Sequence, residues 1–202
     1  MIERWALVRS LKGDLDTYEL IQKDLKKTPG NITLFVLGDM IGPEKNCNRL
    51  LHRLINPKSN DLQPWCIYGW WEEQILLESG YRGDQRAEAL RINKGEEVVK
   101  SLTNAVDKSF LDWIAALQFG FVELDCGLIH GSSKDVGENL TLETAPLTLL
   151  DRLTRLQVNR LFTARSKQQF HLELTEGIVN SEVEDLNGNR KKEQKVPQKA
   201  VI

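Results

Sequence analysis

The stretch Phe35-Val36-Leu37-Gly38-Asp39-Met40-Ile41-Gly42-Pro43 constrains this chain more than any other. An apolar run breaks at a Gly-Asp pair, and Gly42-Pro43 then stops the backbone. The pattern predicts a buried strand that delivers one carboxylate at its C-terminal end. In open α/β sheets, sites lie in the crevice outside the carboxyl ends of the strands, which makes Asp39 a candidate for chemistry. Trp5 to Gly13, Cys66 to Trp71 and Leu128 to Gly131 end in the same manner.

Around these four strand ends the remaining elements can be placed in order. A helix is predicted from a cap at Asp14 or Asp16 to about Lys27, with Leu15, Leu20, Ile21 and Leu25 inward. Strands are expected at Trp5–Arg9, Ile32–Leu37 and Trp65–Tyr68, and helices at Glu44–Ile55 and, after Gly69-Trp70-Trp71-Glu72, in a short stretch to Ser79. Residues 81–117 are charged, helix-favouring and broken by Gly83 and Gly95. They are read as two helices, near 84–93 and 107–117, inserted as a cap or lid. Asp125-Cys126-Gly127 turns a hairpin between Phe119–Leu124 and Gly127–Ile129. Pro146 opens a helix to Leu156, and strands follow at Asn159–Phe162 and Phe170–Thr175. A last pair, Ile178–Leu186 and Lys195–Ile202, flanks the turn Asn187-Gly188-Asn189. The order βαβαβα, a helical insertion, then mostly β predicts an α/β (α+β) fold. Two sheets of mixed strands would pack face to face with helices outside.

At 202 residues with 41% apolar side chains, the chain is expected to form a single domain, 1–202, with a real core. A net charge of −2 gives no electrostatic case for nucleic acid or an anionic membrane. No apolar run approaches the ~20 residues that span a bilayer. Met1-Ile2-Glu3-Arg4 leads directly into a strand without a signal-peptide core, so a cytoplasmic chain is expected. Cys47, Cys66 and Cys126 lack metal spacing and read as reduced core residues.

Taken in order, the strand ends resemble the calcineurin-like metallophosphoesterase superfamily, over nearly the whole chain. Its signatures are D-x-H, G-D-x-x-x-x-G, G-N-H-[DE], a lone H after an apolar strand, and G-H-x-H. The resemblance implies a β-sandwich with two metal ions (Mn, Fe or Zn) at the strand ends. Gly38-Asp39 stands in the G-D position, where the resemblance gives Asp39 the place of the metal-bridging carboxylate. His130, in Leu-Ile-His-Gly-Ser, stands at the lone histidine. The other stretches depart. Ser10-Leu11-Lys12 replaces D-x-H, Gly69-Trp70-Trp71-Glu72 replaces G-N-H-[DE], and Thr163-Ala164-Arg165-Ser166 replaces G-H-x-H. The resemblance thus implies that Asp39 and His130 are remnant ligands and that Ser10, Lys12, Trp70, Trp71, Glu72 and Arg165 line a remodelled pocket.

Two-metal hydrolysis needs ions about 3.5–4 Å apart, each with several oxygen or imidazole donors. One carboxylate and one imidazole do not supply them, so no cofactor is expected. Lys12 and Arg165 bring positive charge to former ligand positions, and an inward Lys12 would pair with Asp39. The plainer readings are Asp39 as a turn cap, His130 as a satisfied strand-end histidine, and Lys12 and Arg165 in solvent. Trp70 and Trp71 are adjacent and not expected to share one core. One of them would then anchor a protein contact or plug the vacated site. No G-x-S-x-G, G-x-x-x-x-G-K-[ST] or G-x-G-x-x-G is present, and His52 and His171 read as structural.

Two functions follow. The first is a catalytically inactive scaffold or regulatory protein that binds a protein partner. The second is a divergent metal-dependent phosphoesterase, cleaving phosphomonoesters or diesters, with carboxylates such as Asp14, Asp16, Glu72 or Glu73 recruited to the site.

Overall fold

The computed structural model describes residues 3–83, 86–175, 178–184 and 190–193, with side chains from residue 4 to residue 174. The chain divides into two compact units, Met1–Gln118 and Phe119–Ile202.

The first unit begins as three strands, β1 (Glu3–Val8), β2 (Asn31–Leu37) and β3 (Pro64–Ile67), joined by α1 (Leu15–Leu25) and α2 (Asn48–Ile55). All pairings are parallel and β2 is central, with Leu7 level with Phe35, and Phe35 level with Trp65. Leu34, Phe35, Val36 and Leu37 are all buried, as a continuous apolar run in a parallel sheet requires. One face of β2 sends Leu34 and Val36 into a core with Tyr18, Met40, Leu50 and Leu54. On the other, Phe35 meets the Trp5 ring edge-on at 5.7 Å.

Asp14 caps α1 as expected, accepting from Thr17 N at 2.9 Å. Of the expected inward face of α1, Leu15, Ile21 and Leu25 do pack against that core. Tyr18 and Gln22 are buried, while Leu20 is 61% exposed. Gln22 tolerates this because its amide is used on both ends. It donates to Tyr18 Oη (2.8 Å) and Leu62 O (2.9 Å), and accepts from Leu62 N (3.1 Å). Helix α2 starts later than Glu44, because Cys47 N is held by Ala105 O at 2.8 Å before the helix begins.

After α3 (Trp70–Glu78) come α4 (Glu88–Lys94), α5 (Glu96–Asn104), a 3₁₀ turn at Lys108–Phe110, and α6 (Leu111–Ala116). Sequence reading missed α5. Gly95 was read as a break, but at φ +88° it is the joint through which α4 hands over to α5. Leu90, Val99, Leu102, Leu111 and Ile114 share one apolar cluster with Trp70, Trp71, Ile75 and Leu76 of α3.

The second unit opens with the expected hairpin, β4 (Gly120–Glu123) and β5 (Cys126–Ile129), turned through Leu124 at φ +57°. Then α7 (Pro146–Leu156) leads to β6 (Arg160–Thr163), parallel to β5. Strands β7 (His171–Thr175), β8 (Ile178–Glu184) and β9 (Arg190–Glu193) form an antiparallel ladder. The expected turn at Asn187-Gly188-Asn189 and strand at Lys195–Ile202 lie outside the described residues. Among the described residues no helix is long and apolar enough to cross a membrane.

Candidate strand-end site

In the first unit the C-terminal ends of β1, β2 and β3 run on into three short segments, and main chain joins the first two. Ser10 N donates to Gly38 O (3.2 Å), Lys12 N to Asp39 O (3.0 Å) and Gly13 N to Met40 O (2.7 Å). The backbone is left-handed at Ser10, Lys12, Gly13, Gly38 and Asp39, with φ between +46° and +80°. Such conformations persist only where the surroundings over-determine them, and they concentrate at functional loops. Asp tolerates this region better than most residues, which suits position 39.

The third segment is attached through a carboxylate. Glu72, in the first turn of α3 and fully buried, accepts three main-chain N–H groups. Oε2 takes those of Asp39 (2.9 Å) and Gly69 (2.8 Å), and Oε1 takes that of Ile41 (2.9 Å). Asp39, 6% exposed, accepts from Trp71 N at 3.2 Å. Burial and the neighbouring Asp39 carboxylate push the Glu72 carboxyl up to about 7, against the pull of its amide donors. Gly69 makes the approach possible. A Cβ there would stand 2.8 Å from Asp39 Oδ1 and 3.0 Å from Glu72 Oε2.

Ser10, Lys12, Asp39, Trp70, Trp71 and Glu72 are therefore brought to one end of one sheet. The tryptophans do not divide between core and surface as the sequence suggested. Each is 9% exposed, both belong to the same apolar cluster, and their rings meet edge-on at 4.8 Å. The reason is that α3 is enclosed: Trp70, Trp71, Glu72, Gln74, Ile75 and Leu76 are all buried, so neighbouring positions both find core. A partner cannot be anchored on either ring without opening that core.

His130 and Arg165 belong to the second unit, at the ends of β5 and β6. His130 is fully buried. Its carbonyl accepts from Ala164 N (2.8 Å) and Thr163 Oγ1 (2.9 Å), which knots the two strand ends. Gly131 follows in a tight fit, since a Cβ would lie 2.5 Å from Val136 O and 2.6 Å from Val136 C.

Sequence reasoning missed the residues that hold the loop after β5. Ser132, fully buried, bonds through its hydroxyl to Glu138. Arg152 of α7 grips Glu138 with both arms, Nε to Oε2 at 2.6 Å and Nη2 to Oε1 at 2.7 Å. A signal was present: Arg152 sits on the same helix face as the buried Leu149 and Leu153. The guanidinium holds the Glu138 carboxyl far below its ordinary 4.5, at about 2. A depressed carboxyl stabilises the fold above its unfolded value and loses that contribution as pH falls through the folded value. Glu138 keeps 26% side-chain exposure, so the contribution is discounted to about 1–2 kcal/mol. Urea unfolding of Glu138→Gln should fall below wild type by that amount near neutrality. The gap should close as pH drops from about 4.5 towards 2; a gap that does not change with pH would contradict the assignment.

Two of the carboxylates considered as recruited ligands have other partners. Asp14 caps α1 and pairs with Lys45 at 2.6 Å, and that bond draws its carboxyl down to about 2. Both oxygens of Glu72 face amide N–H groups. Among the described residues no group of three or more His, Cys, Asp and Glu side chains could hold a metal ion. The donor set therefore does not fit the metal pair that the resemblance implies.

No protein-family model matches the chain, and no curated protein matches it in sequence. In structure it is similar to a metallophosphoesterase from Sphaerobacter thermophilus, with a TM-score of 0.55 at 14% identity. The match covers 84% of this chain and 62% of that one, so the chain spans less than two thirds of its length. A likeness at that identity is one of fold, and the fold of this chain is mixed α/β and metallophosphoesterase-like.

Proposed function

We propose that the chain is a ligand-depleted member of the calcineurin-like metallophosphoesterase superfamily, acting as an inactive scaffold or regulatory binding protein in the cytoplasm. The observation that carries this reading is the fate of the strand-end carboxylates. Glu72 spends both oxygens on backbone N–H groups, and Asp39 is drawn into the same hydrogen-bonded knot. A two-metal centre needs such oxygens as donors to cations. The partner is proposed to be a protein, and its contact lies elsewhere than on Trp70 and Trp71, which are core residues.

Elemental analysis of protein purified without chelator, together with hydrolysis of bis-nitrophenyl phosphate in added Mn²⁺, tests the proposal. Metal far below one ion per chain and no turnover above buffer are expected. Near-stoichiometric metal with turnover that disappears in Asp39→Asn would establish the divergent phosphoesterase instead.

A further inference from the structure

We propose that α4 is a hinged latch on the apolar cluster of α3 and α5, and that it swings out to admit an amphipathic helix of a protein partner carrying a leucine followed by an arginine. The proposal rests on the reading of the chain as a binding scaffold and names the chemistry of its partner. Glycines stand on both sides of the latch. Gly80 and Gly83 precede α4 and Gly95 follows it, at φ +78°, +84° and +88°, and a Cβ on any of them would meet nothing within 4 Å. The backbone can turn at these points without striking a neighbour. Helix α4 has 7 residues and no side-chain cap, so it is too short to persist away from its seat.

Two kinds of contact close the latch. Ala87 and Leu90 are fully buried in the cluster that holds Ile75, Leu76, Val99 and Leu102. Arg91 is the clasp: Nη2 donates to Glu78 Oε1 at the end of α3 (2.6 Å), and Nε to Glu96 Oε2 at the start of α5 (2.8 Å). The clasp is incomplete. Arg91 Nη1 is buried with no hydrogen-bond partner among the described residues, and Glu88 Oε1 stands 4.0 Å from it. A buried donor left unmet works against the closed form. When α4 leaves, the seat keeps its apolar lining and both carboxylates, while Arg86, the other cation acting on Glu78, leaves with the helix. An apolar notch with two acidic groups at its rim complements a helix that presents a small residue, a leucine and an arginine at the spacing of Ala87, Leu90 and Arg91. Helix α4 is thus the competitor that such a partner must displace.

Amide hydrogen exchange of the full chain reads the latch. The α4 amides should exchange together, at least about tenfold faster than that of Leu102 in α5, and Arg91→Ala should widen the gap by about another tenfold. Helices α4 and α5 exchanging at one rate in both proteins would overturn the proposal. A labelled peptide of residues 86–94, capped at both ends, is the probe for the partner. It brings the arginine that the Arg91→Ala latch lacks, so it should bind that variant at least about tenfold more tightly than wild type. The same peptide with Leu90→Ser should bind neither protein. A peptide that binds both proteins alike, or neither, also overturns the proposal. Dimers of Arg91→Ala in light scattering, the sign of α4 exchanged between two copies, overturn a partner helix as the occupant. Neither arm reads metal or hydrolysis. Mn²⁺-dependent turnover with the expected exchange and binding would defeat the proposed function alone, and equal exchange in α4 and α5 would defeat the latch alone.

Discussion

Glu72→Ala is expected to destabilise the protein by about 3–5 kcal/mol, the largest effect of any single truncation at the strand ends. The substitution strands the N–H groups of Asp39, Ile41 and Gly69, all of which now end on the carboxylate. Each buried donor left without an acceptor costs about 1–3 kcal/mol. Two terms work the other way. Removing a fully buried carboxylate relieves its desolvation, and it also removes the repulsion from Asp39. Water entering the vacated space would satisfy part of the remainder. The net therefore falls below the sum of three orphaned amides but stays well above the effect of a surface change. Glu72→Gln should lie between alanine and wild type, since one oxygen survives while the amide NH₂ opposes an N–H. Equilibrium urea unfolding of the three proteins checks the order, and an alanine variant within about 1 kcal/mol of wild type would remove Glu72 from its structural role.

Gly131→Ala is expected to cost about 3 kcal/mol or more, although it adds a single methyl group. The atoms in the way are main chain: Val136 O at 2.5 Å and Val136 C at 2.6 Å from the added Cβ. A flexible side chain would step aside, but here the 131–138 loop itself must move. That loop is pinned through Ser132 N to Asp135 O (3.0 Å) and through Glu138 to Arg152. Strain would therefore spread to α7, and thermal unfolding should show a drop of several degrees. Gly80, where a Cβ meets nothing within 4 Å, is the useful contrast, since its only penalty for alanine is the backbone angle of +78°.

Much of the fold was legible because its elements obey local rules. Strand β2 reads from its apolar run, α1 from the Asp14 cap, and α7 from Pro146 at its first turn. Misreadings came where tertiary partners reverse a local preference. Gln22 is polar, yet it is buried because the Leu62 backbone supplies a donor and an acceptor 40 residues away. Helix α5 was hidden because Gly95 breaks helices in general, and only the structure shows two helices meeting at it. The site followed the same division. Asp39 and Glu72 could be placed at strand ends from the sequence. That Glu72 faces inward onto three amides could not, because those donors are main chain and leave no trace in residue type. Arg152 was overlooked because a charged residue on a helix is ordinarily at the surface, and its burial depends on the Glu138 loop folding over it.

Ser10, Lys12 and Asp39 hold left-handed backbone without being glycine, at φ +56°, +46° and +53°. Each such residue costs on the order of 1 kcal/mol relative to its relaxed conformation. For a protein engineer, these are positions where backbone and residue type disagree, and stability can be gained there by relieving the backbone itself. Glycine at 10 or 12 would match the dihedral angles already present, offset in part by the wider freedom it gives the unfolded chain. Position 39 offers no such latitude, because its side chain also holds the Trp71 amide.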